Sequence, residues 1–522
     1  MSWTGWLIFF LVIQVIHFIG TWKLYVKAGR QAWEAAVPVY NAVVLMKIIN
    51  RPWWWTILLF IPIVNLIMFP VIWVETIRSF GRNSTADTWL AILTLGLYTY
   101  YISYTQDVTY IEDRSLQPKS TAGEWISSIL FAIVAATIVH TYFMQPFTIP
   151  TSSLEKTLLV GDFLFVSKFH YGARTPMTPM ALPMVHDTIP KAGLKSYLSY
   201  PEIPYFRLPG FQDISRNDIV VFNWPIDEFV DIGPPAKGYA YKPIDKKSNY
   251  VKRCVGIPGD SLEVRDGYVF IDGEKNDLPD RARLQFNYGF RTKGQINNPV
   301  ELLKRYDITD AIGVNREQNH YILSAATEEA VDQLKANPNI AEVFPLKQEK
   351  GIRDPGVFPQ DEQYNWNTDN FGPILIPKAG MTVDIDTKSI PLYKRIIEVY
   401  EGSEMGTNNE ISVNGNQVLL NGRPLTSYTF QQDYYWMMGD NRNNSQDARM
   451  WGYVPFNHVV GKPVFVWMSI DSNAKGISNK IRWERLFTTV GGEGKPVSYL
   501  YYFIAGVIVL FGINFFRKRK KA

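Results

Sequence analysis

The chain has 522 residues, 47% of them hydrophobic, which is enough apolar material for a large folded domain and several membrane segments. Its formal net charge of +4 is too small to indicate a nucleic-acid partner. A single cysteine, Cys254, excludes an intrachain disulfide, and the six histidines are scattered without partners at metal-ligand spacing. We therefore expect no metal site and no nucleic-acid partner.

Five apolar segments predict membrane spans, near residues 3–20, 53–74, 88–105, 125–144 and 499–516. The first lacks the preceding positive charges of a cleavable secretory signal, so we interpret it as a retained helix. Pro62, Asn65 and Pro70 interrupt the second, and the third is short enough to be tilted or re-entrant. The fourth contains no formally charged side chain, and its length matches a hydrocarbon core of about 30 Å.

The lysine and arginine bias predicts the orientation of these spans. The connection after the first span is basic, and so is the tail at 517–521. If both lie in the cytoplasm, the amino terminus and residues 145–498 lie outside. The two ends of the chain thus predict the same topology.

A cluster of hydroxyls follows the fourth span in the stretch IPTSSLEKTLLVGD, residues 149–162. Pro150 favours an extended Ile149, and if the extension continues, Thr151 and Ser153 point to the same side. A serine there would lie just outside the bilayer. The cluster alone is a weak signal, because hydroxyls after a helix are usually caps or turn residues.

Residues 145–498, the region expected outside the membrane, are predicted to form mainly β-strands. DIVVFNWP, GYVFIDG and QVLLNGRPL are short β-branched or aromatic runs that end at Gly, Pro or Asn. Residues 265–274 and 413–425 both have the pattern of a turn, a strand and a second turn, and we predict that they form similar hairpins. Residues 327–336 predict a helix, and the whole interval 261–430 reads as an inserted cap domain.

Two further stretches contain candidate catalytic residues: NYVKRCVGIPGD at 249–260 and MMGDNRNNSQDARMWGYVP at 437–455. Together with the hydroxyl cluster they closely resemble the bacterial type I signal peptidases, membrane-bound serine proteases with a Ser/Lys dyad. The resemblance covers most of 147–170, 216–260 and 434–468. It implies a mainly β periplasmic catalytic domain of signal peptidase type with an inserted α+β cap, anchored by several transmembrane helices.

The segment 22–105, with KAGR, VPVYN and NRPWWW, resembles a small membrane module that some bacteria join to peptidases. We derive no chemistry from it. The expected domains are the amino-terminal module at 1–122, an anchor at 123–145, the catalytic domain at 146–260 and 431–498, the cap at 261–430, and a last span with its basic tail at 499–522.

Lysine can act as a base only when it is neutral, and at pH 8 well under about 1% of ordinary lysines are neutral. In a strand, Lys252 shares its face with Tyr250 and Cys254, while Val251 and Arg253 point to the other side. Such neighbours exclude water from the amine without adding a carboxylate, which lowers its pKa. From the four residues VKRC alone, the alternative interpretation is that Lys252 is an ordinary surface lysine in an edge strand.

The resemblance implies a role for each matching residue. Ser153 is the nucleophile, Lys252 is the general base, and Ser445 orients the lysine ammonium. The Ser153 backbone N–H and the Thr151 hydroxyl hold the oxyanion. Leu154, Glu155 and Lys156 depart from the relatives, which commonly have Met, another residue and Pro. The remaining matches, expected in supporting ion pairs, are Arg253, Asp440, Asp447 and Arg449.

The expected substrate pocket is shallow and apolar, and its residues are Phe147, Ile149, Leu154, Leu158, Tyr250 and Val251. We expect a multi-pass endopeptidase of the bacterial inner membrane that removes signal peptides from exported preproteins on the periplasmic face, with no metal or organic cofactor. Membrane phospholipid and the protein-export translocon are the other expected partners. The alternatives are an inactive binding or scaffold protein of the export machinery and a Ser/Lys protease of regulatory substrates.

Overall fold

The computed structural model describes residues 1–118, 120–227, 241–296, 298–308, 312–315 and 319–519, so Lys520 and Lys521 of the basic tail lie outside the described part. The chain forms two compact units that do not follow its linear order. The first comprises Met1–Phe143, Arg174–Leu208 and Tyr241–Lys246, and the second comprises Met144–Ala173, Pro209–Ala240 and Lys247–Ala522. The first unit therefore includes two stretches of the predicted catalytic segment 146–260.

The amino-terminal part of the first unit is helical. Its helices are α1 (Trp3–Lys27), α2 (Tyr40–Ile48), α3 (Trp55–Leu58), α4 (Val64–Ser79), α5 (Thr85–Leu93), α6 (Tyr98–Thr105) and α7 (Thr121–Ile138). A π-helical turn extends α7 to Phe143. Within the described residues, three helices have the length and apolar composition of a membrane span: Trp3–Lys27, Thr121–Phe143 and Leu500–Arg517.

The predicted spans at 53–74 and 88–105 are each divided between two shorter helices. Pro62 and Ile63, which has a φ of 71°, separate α3 from α4, whose 16 residues extend only about 24 Å. Leu95 and Gly96 have φ values of 53° and 84° and separate α5 from α6. A Cβ at Gly96 would collide with the Trp73 ring, so the turn there requires glycine.

An eight-stranded antiparallel sheet is the centre of the second unit. Its strands, in chain order, are β1 (Met144–Thr148), β2 (Asp162–Ser167), β3 (Ile219–Asn223), β4 (Asn249–Gly256), β18 (Tyr434–Met438), β19 (Val454–Pro455), β20 (Val459–Ser469) and β21 (Thr488–Thr489). The spatial order is β1-β2-β20-β3-β4-β18-β19, and β21 pairs with β20. Every residue of β3 and β18 is buried, as their continuous apolar runs require.

Two three-stranded meanders confirm the predicted hairpins. They consist of β5 (Ser261–Arg265), β6 (Tyr268–Ile271) and β7 (Glu274–Lys275), and of β14 (Ile411–Asn414), β15 (Gln417–Leu420) and β16 (Arg423–Pro424). Asp266–Gly267 and Asn421–Gly422 have positive φ at both residues, as two-residue hairpin turns require.

Residues 286–345 form a small module with its own apolar core. Its elements are β8 (Phe286–Thr292), α8 (Pro299–Lys304), β9 (Ile312–Asn315), β10 (His320–Ala326), α9 (Glu328–Lys335) and β11 (Ile340–Pro345). The strand order β11-β8-β10-β9 is that of the split β-α-β-β-α-β arrangement. Helix α9 confirms the predicted helix, and Thr327 caps it by accepting a hydrogen bond from Ala330 N.

The rest of the inserted segment packs on the central sheet. Its remaining elements are β12 (Phe371–Leu375), β13 (Thr382–Asp384), α10 (Ile390–Arg395) and β17 (Ser427–Thr429). Three helices follow outside this segment: α11 (Ala448–Trp451), α12 (Ile477–Lys480) and α13 (Leu500–Arg519). Leu262, Phe371 and Ile397 lie in one buried cluster with Val255 and Trp436 of the sheet. Among the described residues of 261–430, only the module at 286–345 therefore has a core separate from that of the sheet.

Candidate active site

Ser153 lies in a 3-10 turn, Ser152–Leu154, directly after β1. Thr151 is extended, with φ −130° and ψ 155°, but the chain turns at Ser152. The prediction that Thr151 and Ser153 point to the same side depended on continued extension, and the extended backbone ends at Ser152. Ser153 is buried by the turn, and Thr151 stays exposed.

Lys252 lies on β4 in the middle of the sheet, opposite Val220 of β3. Its Nζ donates a hydrogen bond of 2.7 Å to Ser153 Oγ and one of 3.2 Å to the Val251 carbonyl. The two side chains are almost completely buried, with Ser153 6% and Lys252 4% exposed. The structure therefore brings together a hydroxyl and an amine from positions that are far apart in the sequence.

The surroundings of Lys252 favour its neutral form. Burial lowers the pKa of Lys252 from 10.5 to about 8, although Asp447 and Asp440 act in the opposite direction. The Nζ lies 5.3 Å from the centre of the Tyr250 ring. At pH 8 about half of the Lys252 side chains are therefore able to accept a proton.

Both nearby carboxylates are paired with arginine. Arg253 binds Asp440 with two hydrogen bonds of 2.8 and 2.6 Å, and Arg449 binds Asp447 with two of 2.9 and 2.8 Å. Burial opposes ionisation of the two aspartates, but these ion pairs hold both pKa values below the usual range. Asp447 also accepts a hydrogen bond from the Gly439 N–H. The aspartates thus remain charged, and Arg449 partly offsets their effect on the pKa of Lys252.

Ser445 lies near Ser153 without a hydrogen bond to Lys252. A Cβ added at Gly439 would collide with both the Ser445 hydroxyl and the Ser153 carbonyl, so these groups flank the same glycine. The Ser445 hydroxyl is buried and has no hydrogen-bond partner in the described part of the chain. The Thr151 hydroxyl does not cap the turn that follows it. Ser445 thus lies next to the dyad without the hydrogen bond to Lys252 that the resemblance implies.

Five of the six predicted pocket residues lie in one apolar cluster: Phe147, Ile149, Leu154, Leu158 and Val251. Tyr250 is the exception. It packs against Trp224 and Trp451 in a second cluster, because it points to the opposite side of β4 from Val251. Tyr250 therefore belongs with the surroundings of the Lys252 amine and not with the apolar cluster around Leu154.

Sequence reasoning missed three side chains that hold the serine turn. Asn441 donates from its backbone to the Ser153 carbonyl at 3.1 Å and from its side chain to the Ser152 carbonyl at 3.2 Å. Asn444 Nδ2 donates to Ser152 Oγ at 2.9 Å. Both asparagines lie in the stretch 437–455, so the polar residues of that stretch could have indicated that it contacts the serine turn.

The third missed residue, Gln285, lies directly before β8. Its side-chain amide donates to the Glu155 carbonyl at 2.8 Å, and its backbone pairs with Asp440 and Arg442. Gln285 is 2% exposed. Because 130 residues separate it from Glu155, no local pattern indicates this contact.

Lys156 marks a local departure in the backbone. Its φ is 68°, a left-handed value that proline cannot adopt, so the backbone here excludes the proline that the resemblance implies. The Lys156 amine lies 2.8 Å from Asp307 of the module at 286–345. Two residues of the inserted segment thus contact the chain just after the serine turn: Gln285 contacts Glu155, and Asp307 contacts Lys156.

Two family models and several curated proteins match this chain. Residues 122–315 and 376–468, together more than half of the chain, match the family described as "Signal peptidase, peptidase S26". Residues 33–113 match a family of unknown function, DUF5684. Three curated relatives are named "Signal peptidase I" and are each 25% identical. The Haemophilus influenzae protein aligns over 73% of this chain and 79% of its own length, the Helicobacter pylori protein (strain 26695) over 72% and 94%, and the Buchnera aphidicola protein from Acyrthosiphon pisum over 69% and 80%.

Proposed function

Because this chain belongs to the signal peptidase family, peptidase S26, we propose that it cleaves signal peptides from exported preproteins with Ser153 as nucleophile and Lys252 as general base. The family and its relatives make the chain a serine peptidase. The observation that supports the two roles is the buried hydrogen bond of 2.7 Å between Lys252 Nζ and Ser153 Oγ. A hydroxyl in contact with a desolvated amine is an activated nucleophile.

The proposed reaction begins when neutral Lys252 accepts the Ser153 proton and Oγ attacks the scissile carbonyl. The Ser153 N–H and the Thr151 hydroxyl donate hydrogen bonds to the oxyanion, and each such donor contributes about 3 kcal/mol. The Lys252 ammonium then protonates the leaving amine, which departs with the mature protein. A water molecule hydrolyses the acyl-enzyme with Lys252 again as base, and the free signal peptide leaves.

Ser445 is proposed to orient the amine during this cycle. Its hydroxyl is buried near the dyad and is not committed to another group in the described residues. A small shift of the lysine after proton transfer would supply the hydroxyl with a donor. The two aspartate–arginine pairs are proposed to hold the strand ends and the loop that carry these groups.

The apolar cluster around Leu154 is proposed to accept a small side chain before the scissile bond. A precursor with Leu in place of Ala there should react about tenfold or more slowly, because overpacking costs about 1 to 3 kcal/mol. Leu158→Ala should reduce this discrimination. The measurement is kcat/KM for precursors with Ala, Val, Leu or Phe at that position.

Leu164→Ala is the matched control, because Leu164 lies in the same cluster on β2 and is equally buried. It should lower stability without changing the order of preference. Equal cleavage of the Ala and Phe precursors by the wild-type protein would refute the pocket and, with it, the selectivity expected of a signal peptidase.

Gln285 is proposed as a positioning residue for the serine turn. Gln285→Met keeps the length of the side chain but leaves the Glu155 carbonyl without its donor, a loss of about 1 to 3 kcal/mol. We expect kcat to fall about tenfold with little change in KM, because only the turn that carries the nucleophile loosens. Gln417→Met, at an exposed position on β15, should match the wild type. Equal kcat values for the two variants would show that Gln285 does not position the turn.

The proposed topology has three spans: α1, the helix at Thr121–Phe143 and the helix at Leu500–Arg517. With the amino terminus outside, Lys27 and Thr121 lie at the cytoplasmic side, 144–499 lies on the periplasmic face, and the basic tail is cytoplasmic. The shorter helices α2 to α6 are proposed to enter the bilayer from the cytoplasmic side and to return, so that Ile63 reaches Ala181 and Tyr197. The bilayer would then deliver the hydrophobic part of a preprotein next to the enzyme, and phospholipid and the translocon are its proposed partners. The loss of two predicted spans leaves the sidedness of the catalytic region unchanged.

Protease added to right-side-out membrane vesicles should therefore digest the region 144–499 and spare a tag placed after residue 522. Detergent should make the tag accessible. Digestion of the tag in intact vesicles would invert the last span and contradict this topology.

A further inference from the structure

The segment Arg174–Leu208, here called the excursion, belongs to the first unit, although the chain on both sides of it belongs to the second. Ala181 and Tyr197 form a small buried cluster with Ile63, which lies between α3 and α4. Asp245 fixes the root of the excursion by accepting hydrogen bonds of 2.9 and 3.0 Å from the backbone N–H groups of Met177 and Thr178. The excursion therefore has a defined position against the helical module.

A second contact ties the excursion to one end of a membrane helix. The Trp6 indole N–H, in the first turn of α1, donates a hydrogen bond of 2.9 Å to the Glu202 carbonyl. Helix α1 has 25 residues and is about 37 Å long, so its ends extend beyond a hydrocarbon core of about 30 Å. Tryptophan prefers this headgroup region of the bilayer. Glu202 consequently lies at the depth of the lipid headgroups.

The excursion carries large apolar side chains on its surface. Leu182 and Leu194 are 46% and 65% exposed, and Leu198 and Tyr200 are 58% and 70% exposed. Single exposed leucines are common in soluble proteins, but several within one short stretch mark an interaction surface. Leu198 and Tyr200 lie a few residues before Glu202, and the Leu182 N–H donates a hydrogen bond to the Ser196 carbonyl. These side chains therefore lie near the same headgroup layer.

Two antiparallel bridges, between Ala181 and Tyr197 and between Thr188 and Lys195, fold the excursion back on itself. Lys191 and Lys195 are exposed at the resulting tip. Apolar side chains together with lysines suit a surface with an apolar interior and phosphate headgroups. A soluble protein partner would need no such proximity to the end of α1.

We propose that the excursion lies in the outer leaflet and inserts Leu194, Leu198 and Tyr200 among the lipid acyl chains. This inference rests on the proposed orientation, with the amino end of α1 outside. The chain on both sides of the excursion belongs to the second unit, which contains Ser153 and Lys252. The excursion is therefore a lipid contact additional to the membrane spans.

The test uses the full-length chain with a single environment-sensitive fluorophore, NBD, at Leu198→Cys or Tyr200→Cys. The native Cys254 is completely buried and should not react. Val413→Cys, 53% exposed on β14, is the matched control. Each protein is reconstituted into vesicles of phosphatidylethanolamine and phosphatidylglycerol, with or without a phospholipid that carries a doxyl group at carbon 5 of its acyl chain.

Doxyl lipid should quench the labels at 198 and 200 several-fold more than the label at 413, and aqueous iodide should show the reverse order. If iodide quenches all three labels alike and doxyl lipid none of them, the inference is overturned, whether water or a protein normally covers the surface. The readout does not require catalysis. An inactive protein with lipid-quenched labels would overturn the proposed function and leave this inference standing.

Discussion

Lys252→Ala should lose precursor cleavage by roughly a thousandfold or more, because without a base the Ser153 hydroxyl is a poor nucleophile. Lys252→Arg should fail as well, since a guanidinium cannot be deprotonated in a protein. The double variant Ser153→Ala with Lys252→Ala should be little worse than either single variant, because the two residues act as one unit. The measurement is the initial rate of precursor cleavage at fixed enzyme concentration.

Lys275→Ala is the control for this series, because Lys275 is an exposed lysine on the short strand β7. It should cleave the precursor at the wild-type rate. Thermal unfolding of each variant separates loss of the base from loss of the fold. Wild-type activity in a folded Lys252→Ala protein would rule out the dyad.

The rate should also depend steeply on pH. Only neutral Lys252 accepts the serine proton, and burial holds its pKa at about 8. Below pH 8 the neutral fraction and kcat/KM should therefore fall about tenfold per pH unit, and above pH 8 both should reach a plateau. The sign follows from the base: protonation removes activity, so the rate rises with pH. The measurement is kcat/KM between pH 6 and pH 10 with one precursor.

A rising limb near pH 6.5, the usual range of histidine, would point to another base. Its disappearance in His170→Ala, which changes the half-buried histidine after β2, would identify that base. A limb that remains near pH 8 in His170→Ala would agree with Lys252. Ser445→Ala offers a second comparison, because a misoriented amine should lower the plateau without removing the limb.

Local patterns predicted the local structure well. The meander at Ser261–Lys275 follows from Asp-Gly pairs at its turns, and α9 follows from the Thr327 cap and an apolar stripe. The helix at Thr121–Phe143 follows from an uninterrupted apolar run. In each case the residues that determine the element lie inside it.

Features that depend on distant contacts were not predictable in this way. The turn at Ser152 is held by Asn441 and Asn444, nearly 300 residues away, and so the extended backbone does not continue to Ser153. Gln285 reaches Glu155 from the inserted segment. Hydropathy alone suggested single spans at 53–74 and 88–105, because it does not register the positive φ values at Ile63, Leu95 and Gly96.

The boundary of the inserted cap shows a related difficulty. The prediction treated 261–430 as one domain because it separates the two matching stretches of sequence. In the part of 261–430 that the structure describes, only 286–345 has a separate core, and the remaining segment shares a buried apolar cluster with Val255, Trp436 and Tyr453. Sharing of a core between distant segments leaves no local periodicity from which it can be predicted.

Cleavage of one signal-peptide-bearing precursor by purified wild-type and Ser153→Ala protein tests the proposed chemistry most directly. The products are identified by mass spectrometry at pH 9, where most Lys252 side chains should be neutral. The wild type should cut a single bond after a small residue, and Ser153→Ala should leave the precursor intact although it folds. Cleavage of the same bond by Ser153→Ala at the wild-type rate would contradict the assignment of Ser153 as the nucleophile.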